Sequence, residues 1–426
     1  MTLIFDLLYL FGTVVVGPVY LLVRLAKKKA TAPWAERLWR FPAPQTDRPK
    51  IWIHGVSVGE ILAARGLVRR LALEWPNYEV VLSCTTPAGF EVARQEFPDL
   101  TRFYCPLDYS FAVGRAFRAI QPRLFILMEL ELWPNLLLKM EKERVPVVLA
   151  NGRISKRSAR GYRKLQWIHP RLLAPISRFL MQNDDHAERL KNLAVPSDRI
   201  EVFGNLKVDN LSFDAETSLR LAKELGLDCD LVFVAGSTHP GEDEVVFRAY
   251  LSARKDLGSL RLVVAPRHLG RLDAIESLAQ SLGLKTVRRK DVQVADDKNN
   301  SVILVDTMGE LPTFFGLADV VFLGGSLAPI GGHNVLEPAA CGVIQILGPH
   351  TESVQGFVDE LKADGAAVVA HDELAMTRAL CAILADGSNR EAAEIAALDV
   401  VERHRGALGR TIKVLGEIRL LDIDSK

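Results

Sequence analysis

Short apolar runs alternate with amphipathic stretches along most of this chain, and that alternation restricts the fold more than any other feature. Residues 51–54, 79–83, 124–128, 146–150, 179–182 and 200–203 read as strands. The stretches between them suit helices: over 60–73, Ile61, Leu62, Leu67, Val68 and Leu71 fall largely on one side. Strands that are apolar almost throughout, with helices between them, imply a parallel sheet covered on both faces. The rhythm breaks over 204–215 and starts again with strands at 231–235, 261–265, 284–287, 302–305, 320–323 and 343–347. Helices are expected there around 241–253, 269–282, 311–317 and 335–341, and the polar stretch 295–301 reads as a surface loop. A chain of 426 residues is too long for one ordinary core.

Three loops share one grammar: His54-Gly55-Val56-Ser57-Val58-Gly59-Glu60, Asp306-Thr307-Met308-Gly309-Glu310 and Gly331-Gly332-His333-Asn334-Val335-Leu336-Glu337. Each follows a strand directly or after a short link, is rich in Gly, and ends on a carboxylate where a helix should begin. Such a loop points backbone N–H groups at one spot, which favours an anion. Ser57-x-x-Glu60, Thr307-x-x-Glu310 and Asn334-x-x-Glu337 also fit, closely or loosely, the capping box that stabilises a helix start with no function attached. The two readings are compatible, because the carboxyl edge of a parallel sheet is where ligands bind. One loop in the first half and two in the second give a simple picture, an α/β chain with two lobes facing across a cleft.

Charge is balanced, 53 Lys and Arg against 52 Asp and Glu with a formal net of +1, which argues against a dedicated nucleic-acid binder. The five cysteines, Cys84, Cys105, Cys229, Cys341 and Cys381, show no C-x-x-C pair and no His at metal-ligand spacing, so they read as reduced thiols of a cytosolic body. No residue from 7 to 23 is charged, and Arg24, Lys27, Lys28 and Lys29 follow at once. That run is near the lower length limit for a transmembrane helix, and its basic flank places the body on the cytoplasmic side. A cleaved signal peptide would need positive charge before the apolar run and a small-residue cleavage site after it, and neither is there. Gly12, Gly17 and Pro18 keep a shallow interfacial or core helix open as the alternative.

Ile51-Trp52-Ile53-His54-Gly55-Val56-Ser57-Val58-Gly59-Glu60, Met128-Glu129-Leu130-Glu131-Leu132-Trp133-Pro134-Asn135 and Gly204-Asn205-Leu206-Lys207-Val208-Asp209 resemble the 3-deoxy-D-manno-octulosonic acid (Kdo) transferase family of lipopolysaccharide synthesis. Gly236-Ser237-Thr238-His239-x-Gly241-Glu242, Pro266-Arg267-His268, Asp306 to Glu310, Gly324-Gly325-Ser326 and Gly331 to Asn334 extend the resemblance over nearly the whole chain. The usual Glu-Arg-x-Gly is here Glu36-Arg37-Leu38-Trp39, the usual Thr-x-Thr-Gly is Thr85-Thr86-Pro87-Ala88-Gly89, and the segment after Gly348-Pro349-His350 departs from the common form.

The resemblance implies a GT-B fold of two Rossmann-like lobes: a membrane anchor over 1–29, an acceptor-binding lobe over 30–205, a CMP-sugar-binding lobe over 206–405, and a C-terminal helix over 406–426 with the option of packing back on the first lobe. It implies transfer of Kdo from CMP-Kdo to a lipid A precursor at the cytoplasmic face of the inner membrane, by an enzyme bound there as a single-pass or peripheral protein. Glu60 takes the role of general base, while Glu129 and Lys207 stabilise the transition state, Glu131 being the nearby alternative to Glu129. A capping box and an inter-lobe ion pair between Glu129 and Lys207 are the plain structural readings of the same residues. Pro266, Arg267, Met308, Gly309, Glu310, Asn334, Val335, Leu336 and Glu337 correspond to CMP contacts, with Ser237, His239 and Gly325 lining the site behind them.

His54, His268 and His333 are not ranked as bases, since a lone His after a strand is more often structural. No cofactor or metal is expected, because Asp228-Cys229-Asp230 and Asp422-Ile423-Asp424 lack the apolar strand that precedes a metal-diphosphate site. Between Glu143 and Asp184 there is no acidic residue, while Arg144, Arg153, Lys156, Arg157, Arg160, Arg163, Lys164, Arg171 and Arg178 are basic. That run reads as a landing site for lipid A phosphates or an anionic membrane surface, with Tyr162 and Trp167 at the lipid interface. The enzyme alternatives are a UDP-hexosamine transferase or an epimerase, the non-enzyme alternative an anchored nucleotide-sugar-binding protein; sequence says nothing of oligomeric state.

Overall fold

The computed structural model describes residues 1–15, 33–42, 46–164, 169–211, 213–227, 230–292 and 301–423. Trp167, Cys229, most of the 295–301 loop, and the apolar run beyond Val15 with its basic flank lie outside them. The chain forms two compact units, Met1–Asn210 with His404–Lys426, and Leu211–Arg403.

The first unit is built on seven strands: β1 (Lys50–Gly55), β2 (Glu79–Cys84), β3 (Thr101–Tyr104), β4 (Pro122–Met128), β5 (Val147–Gly152), β6 (Ile176–Met181) and β7 (Ile200–Val202). Their spatial order is β3-β2-β1-β4-β5-β6-β7, with every neighbouring pair parallel. Both faces are covered, as β1 shows residue by residue. Ile51 and Ile53 pack with Ile61, Leu67 and Leu71 on one side, and Trp52 packs with Phe103, Phe125 and Ile120 on the other. The second unit repeats the design with β8 (Leu231–Thr238), β9 (Leu260–Pro266), β10 (Lys285–Arg288), β11 (Ser301–Leu304), β12 (Val320–Leu323), β13 (Gln345–Leu347) and β14 (Ala367–Val369). Its order is β10-β11-β9-β8-β12-β13-β14, again all parallel.

Each sheet has one point where successive connections leave in opposite directions. It lies between β1 and β4 in the first unit and between β8 and β12 in the second. Ligands of open α/β sheets bind at the carboxyl ends of the strands flanking such a point. The loops there carry Glu60 and Glu129 in the first unit, and His239 and Gly325 in the second.

The helix expected over 60–73 divides at Ala64 into Val58–Ala63 and Arg65–Glu74. The Asn210 side chain sits at the joint, accepting from Gly66 N at 2.9 Å and donating to the Leu62 and Ala63 carbonyls at 3.0 Å. A Cβ on Gly66 would come within 2.3 Å of Asn210 Oδ1, so a larger residue there would push the Asn210 amide off the joint. The C-terminal helix Ala407–Ile423 belongs to the first unit, with Ala407, Ile412 and Leu415 in its core. Asp209 holds its start, accepting from Gly406 N at 2.6 Å and Leu408 N at 2.7 Å.

The N-terminal helix Thr2–Val15 lies against the first unit. Phe5 is buried beside Leu172, Tyr9 donates to Asp108 at 2.8 Å, and Asp6 accepts from Ser110 N at 2.8 Å and Asn135 Nδ2 at 3.0 Å. Leu3, Ile4, Leu7, Leu8, Leu10, Phe11, Val14 and Val15 stay exposed, as do Trp34, Trp39 and Phe111. Among the described residues no helix is long and apolar enough to cross a membrane.

Candidate active site

Glu60 opens the first turn of Val58–Ala63, and its side chain folds back into the loop after β1. Oε2 accepts from Val56 N at 2.7 Å and Oε1 from the Ser57 hydroxyl at 3.0 Å. This is not the capping box: the Ser57 hydroxyl is aimed at the carboxylate and makes no bond to a helix N–H. Burial pushes the Glu60 carboxyl up to about 7; the Val56 N–H opposes that, nearby Glu129 adds to it, the Ser57 hydroxyl opposes it and Glu131 adds again. The helix N-terminus favours the ionised form, and here burial outweighs it.

Glu129 follows β4 with φ 55°, a left-handed conformation that costs a non-glycine residue about 1 kcal/mol. Its N–H is tied to the Ala150 carbonyl at 3.0 Å. Oε1 faces Lys207 Nζ at 3.5 Å and Oε2 faces Arg153 Nε at 3.2 Å. Lys207 lies in the same unit as Glu129, so the pair is formed within one unit and not between lobes. Its short helix, Leu206–Asp209, is placed by Asn151 Oδ1, which accepts from Leu206 N at 2.9 Å, and by the Asn205 cap on Lys207 N. Lys207 Nζ is 3.8 Å from where a Cβ on Gly59 would stand, next to Glu60. Glu131 makes no ion pair among the described residues; burial, then Glu129, raises its carboxyl.

In the second unit Pro266 ends β9 buried, and Arg267 emerges exposed, its N–H on the Thr238 carbonyl at 3.1 Å. The neighbouring loop leaves Met308 82% exposed and turns at Gly309 with φ 87°. Glu310 accepts from the Thr307 hydroxyl and lies 3.6 Å from Arg289. Asn334 donates to Glu337 at 3.0 Å and accepts from Leu336 N at 3.2 Å. Val335 and Leu336 are buried, and Gln345 Nε2 holds the Val335 carbonyl at 2.8 Å. Burial raises the Glu337 carboxyl, against the Asn334 bond and the charge of Arg267. All three Gly-and-carboxylate loops thus share one bond the capping reading does not include, from the side chain at the first motif position to the carboxylate at the last.

A family model described as 3-Deoxy-D-manno-octulosonic-acid transferase (kdotransferase) matches residues 32–210. The 3-deoxy-D-manno-octulosonic acid transferase of Haemophilus influenzae is 34% identical over 377 residues, 88% of this chain and 87% of that one. The chain belongs to the Kdo transferase family. The enzyme of the same description from Bordetella pertussis is 32% identical over 388 residues, 88% of each chain. A putative UDP-N-acetylglucosamine 2-epimerase of Listeria monocytogenes, 14% identical, superposes with a TM-score of 0.60 over 87% of this chain and 96% of that one, which shows a shared two-lobe α/β fold. This Kdo transferase is a glycosyltransferase that moves Kdo in lipopolysaccharide synthesis.

Sequence reasoning on the transferase missed Glu242. It opens the helix Glu242–Ala253, is 1% exposed, and accepts from the N–H groups of His239, Gly325, Ser326, Leu327 and Ala328. The Gly-rich turn after β12 therefore gathers its amides around the protein's own carboxylate. Gly324 permits the approach: a Cβ there would lie 2.4 Å from the Ser237 carbonyl oxygen. The Gly241-Glu242 pair within the family motif was the only signal, and nothing in its spacing names amides more than 80 residues away. His54 is fully buried, with Nδ1 on Ser83 Oγ at 2.9 Å.

Proposed function

We propose that this chain transfers Kdo from CMP-Kdo to a lipid A precursor, lipid IVA, with inversion at the anomeric carbon and Glu60 as general base. The observation that carries this reading is the Glu60 carboxyl poised near neutrality beside Lys207 and Glu129. An acceptor hydroxyl must lose its proton as its oxygen attacks, and a carboxylate with a pKa near the working pH takes a proton readily and releases it again. The proton passes to Glu60 as the oxygen bonds to the anomeric carbon. The bond to the phosphate oxygen breaks, and its electron pair leaves with CMP. Glu129 meets positive charge developing on the sugar, and Lys207, held by Glu129, meets negative charge.

The nucleotide is assigned to the second unit. Arg267, set in place by Pro266, takes the phosphate, backbone groups of Met308 and Gly309 meet phosphate or base, and Glu310 supports their turn. Asn334, Val335 and Leu336 form the turn that presents Glu337 to the ribose hydroxyls. CMP has a single phosphate, so one guanidinium and backbone amides suffice for it without a metal.

The acceptor side is assigned to the first unit. The helix Lys156–Lys164 carries Lys156, Arg157, Arg160, Arg163 and Lys164 and no acid. Lys156, Arg160, Arg163 and Arg189 line a cavity of about 380 Å³ suited to phosphate. Arg153, just before that helix, already reaches Glu129. The exposed apolar face of Thr2–Val15 suits a helix lying along the membrane surface, because Asp6 and Tyr9 tie its other face to the protein. The test is incubation with CMP-Kdo and lipid IVA, reading product mass with and without excess chelator and with CMP or UDP as competitor. Product insensitive to chelator and suppressed by CMP alone supports the reading; no product, or suppression by UDP alone, rejects it.

A further inference from the structure

His239 and His333 stand on loops 94 residues apart in sequence, yet their Nε2 atoms are 2.9 Å from each other. The rings are nearly parallel, 14° apart with centroids at 5.1 Å. An Nε2–Nε2 hydrogen bond needs one N–H and one lone pair, so the contact holds one proton between two imidazoles. Glu242 and His268 face both rings, as does Arg267, and Arg271 faces His239 as well. His268 stands edge-on to His239 at 6.1 Å. Burial first, with the neighbouring cations adding to it, holds both imidazoles below the ordinary histidine range. Glu242 is the carboxylate of the cluster, and five backbone amides already engage it. Arg271 is also paired with the buried Asp243 carboxylate, which leaves three imidazoles and the Arg267 guanidinium around little free negative charge. An anion bound beside Arg267 supplies it and favours a second proton on the pair.

We propose that His239 and His333 are a proton-accepting pair of the donor site: binding of the nucleotide phosphate beside Arg267 draws a proton onto the pair, opens the Nε2–Nε2 bond and makes both rings N–H donors. This rests on the assignment of Arg267 and residues 334–337 to CMP. The chemistry of transfer gives the pair a use. When the bond from Kdo to the phosphate oxygen breaks, its electron pair stays on that oxygen, so a phosphodiester with one ionisable oxygen becomes a monoester with two. A pair that has gained a proton meets the added charge and holds the departing CMP.

The experiment is calorimetric titration of CMP into the full-length enzyme at pH 7 in two buffers of different ionisation enthalpy, which counts protons taken up on binding. Wild type is compared with H239N, H333N and R267A; the phosphate's own ionisation, with a pKa of about 6, is common to all four. Wild type takes up about half a proton more per CMP than either histidine variant, and its advantage in affinity over them grows about tenfold from pH 8 to pH 6. Equal proton uptake in wild type and both histidine variants overturns the pair. Unchanged CMP affinity in R267A overturns the nucleotide assignment instead. Loss of affinity in R267A with unaltered uptake in H239N and H333N rejects the pair alone. The two variants alter separate loops, so a folding defect in one leaves the other to decide.

Discussion

A general base that titrates near neutrality leaves a pH signature, and its size follows from the structure. With the Glu60 carboxyl at about 7, the ionised fraction is about 0.1 at pH 6, 0.5 at pH 7 and 0.9 at pH 8. The kcat/KM for the acceptor, measured at saturating donor, should therefore fall about fivefold from pH 7 to pH 6 and rise less than twofold from pH 7 to pH 8. A Glu at its ordinary 4.5 would be ionised throughout that range and give a flat profile. The same shift bears on stability. The folded-state value lies above the unfolded one, so the folded chain holds this proton more tightly. The contribution is fully present below about 4.5 and is lost as pH rises through about 7, up to about 3 kcal/mol in all. E60Q never ionises at this position, so its stability relative to wild type, by urea unfolding, should improve by about 2 kcal/mol between pH 5 and pH 8. A flat rate profile together with a pH-independent stability difference would refute a buried, perturbed Glu60.

Other consequences are as direct. R157E with R160E should raise the apparent KM for the lipid acceptor about tenfold or more with little change in KM for CMP-Kdo; an unchanged acceptor KM rejects the basic helix as a phosphate site. L8E with F11E, on the exposed face of Thr2–Val15, should move the protein from anionic vesicles into the supernatant in flotation, and full retention rejects that face as the lipid contact. E242Q replaces a carboxylate that accepts five N–H bonds with an amide whose own N–H groups oppose them, so the second unit should lose about 3 kcal/mol of stability. A loss below about 0.5 kcal/mol contradicts that geometry.

Much of the architecture was legible because buried parallel strands announce themselves as continuous apolar runs. The strand Thr101-Arg102-Phe103-Tyr104 was not, since two of its four residues are polar, and Ala367–Val369 is too short to stand out from a loop. The break at Ala64 was invisible because Asn210, which causes it, arrives from a distant segment. At the site, the motifs brought Glu60, Glu129 and Lys207 forward, but not the burial that sets the Glu60 pKa, which is a property of the assembled loops. The capping reading failed at Ser57 and Thr307, and held in part at Asn334, for a related reason. Spacing gives a hydroxyl or amide three residues before a carboxylate, and only packing decides whether it turns to the helix amide or to the carboxylate. His333 looked like a lone histidine and His239 like a lining residue of the nucleotide site, because a pair formed across two loops has no signature in either.

The most direct test of the central claim is the mass of the lipid product formed from CMP-Kdo and lipid IVA by wild type and by E60Q at pH 8. A lipid heavier by one or more Kdo units with wild type, and a rate lower by about 100-fold or more with E60Q, is the result expected of a general base. Transfer by E60Q within about threefold of wild type, well inside what loss of a base costs, would contradict it.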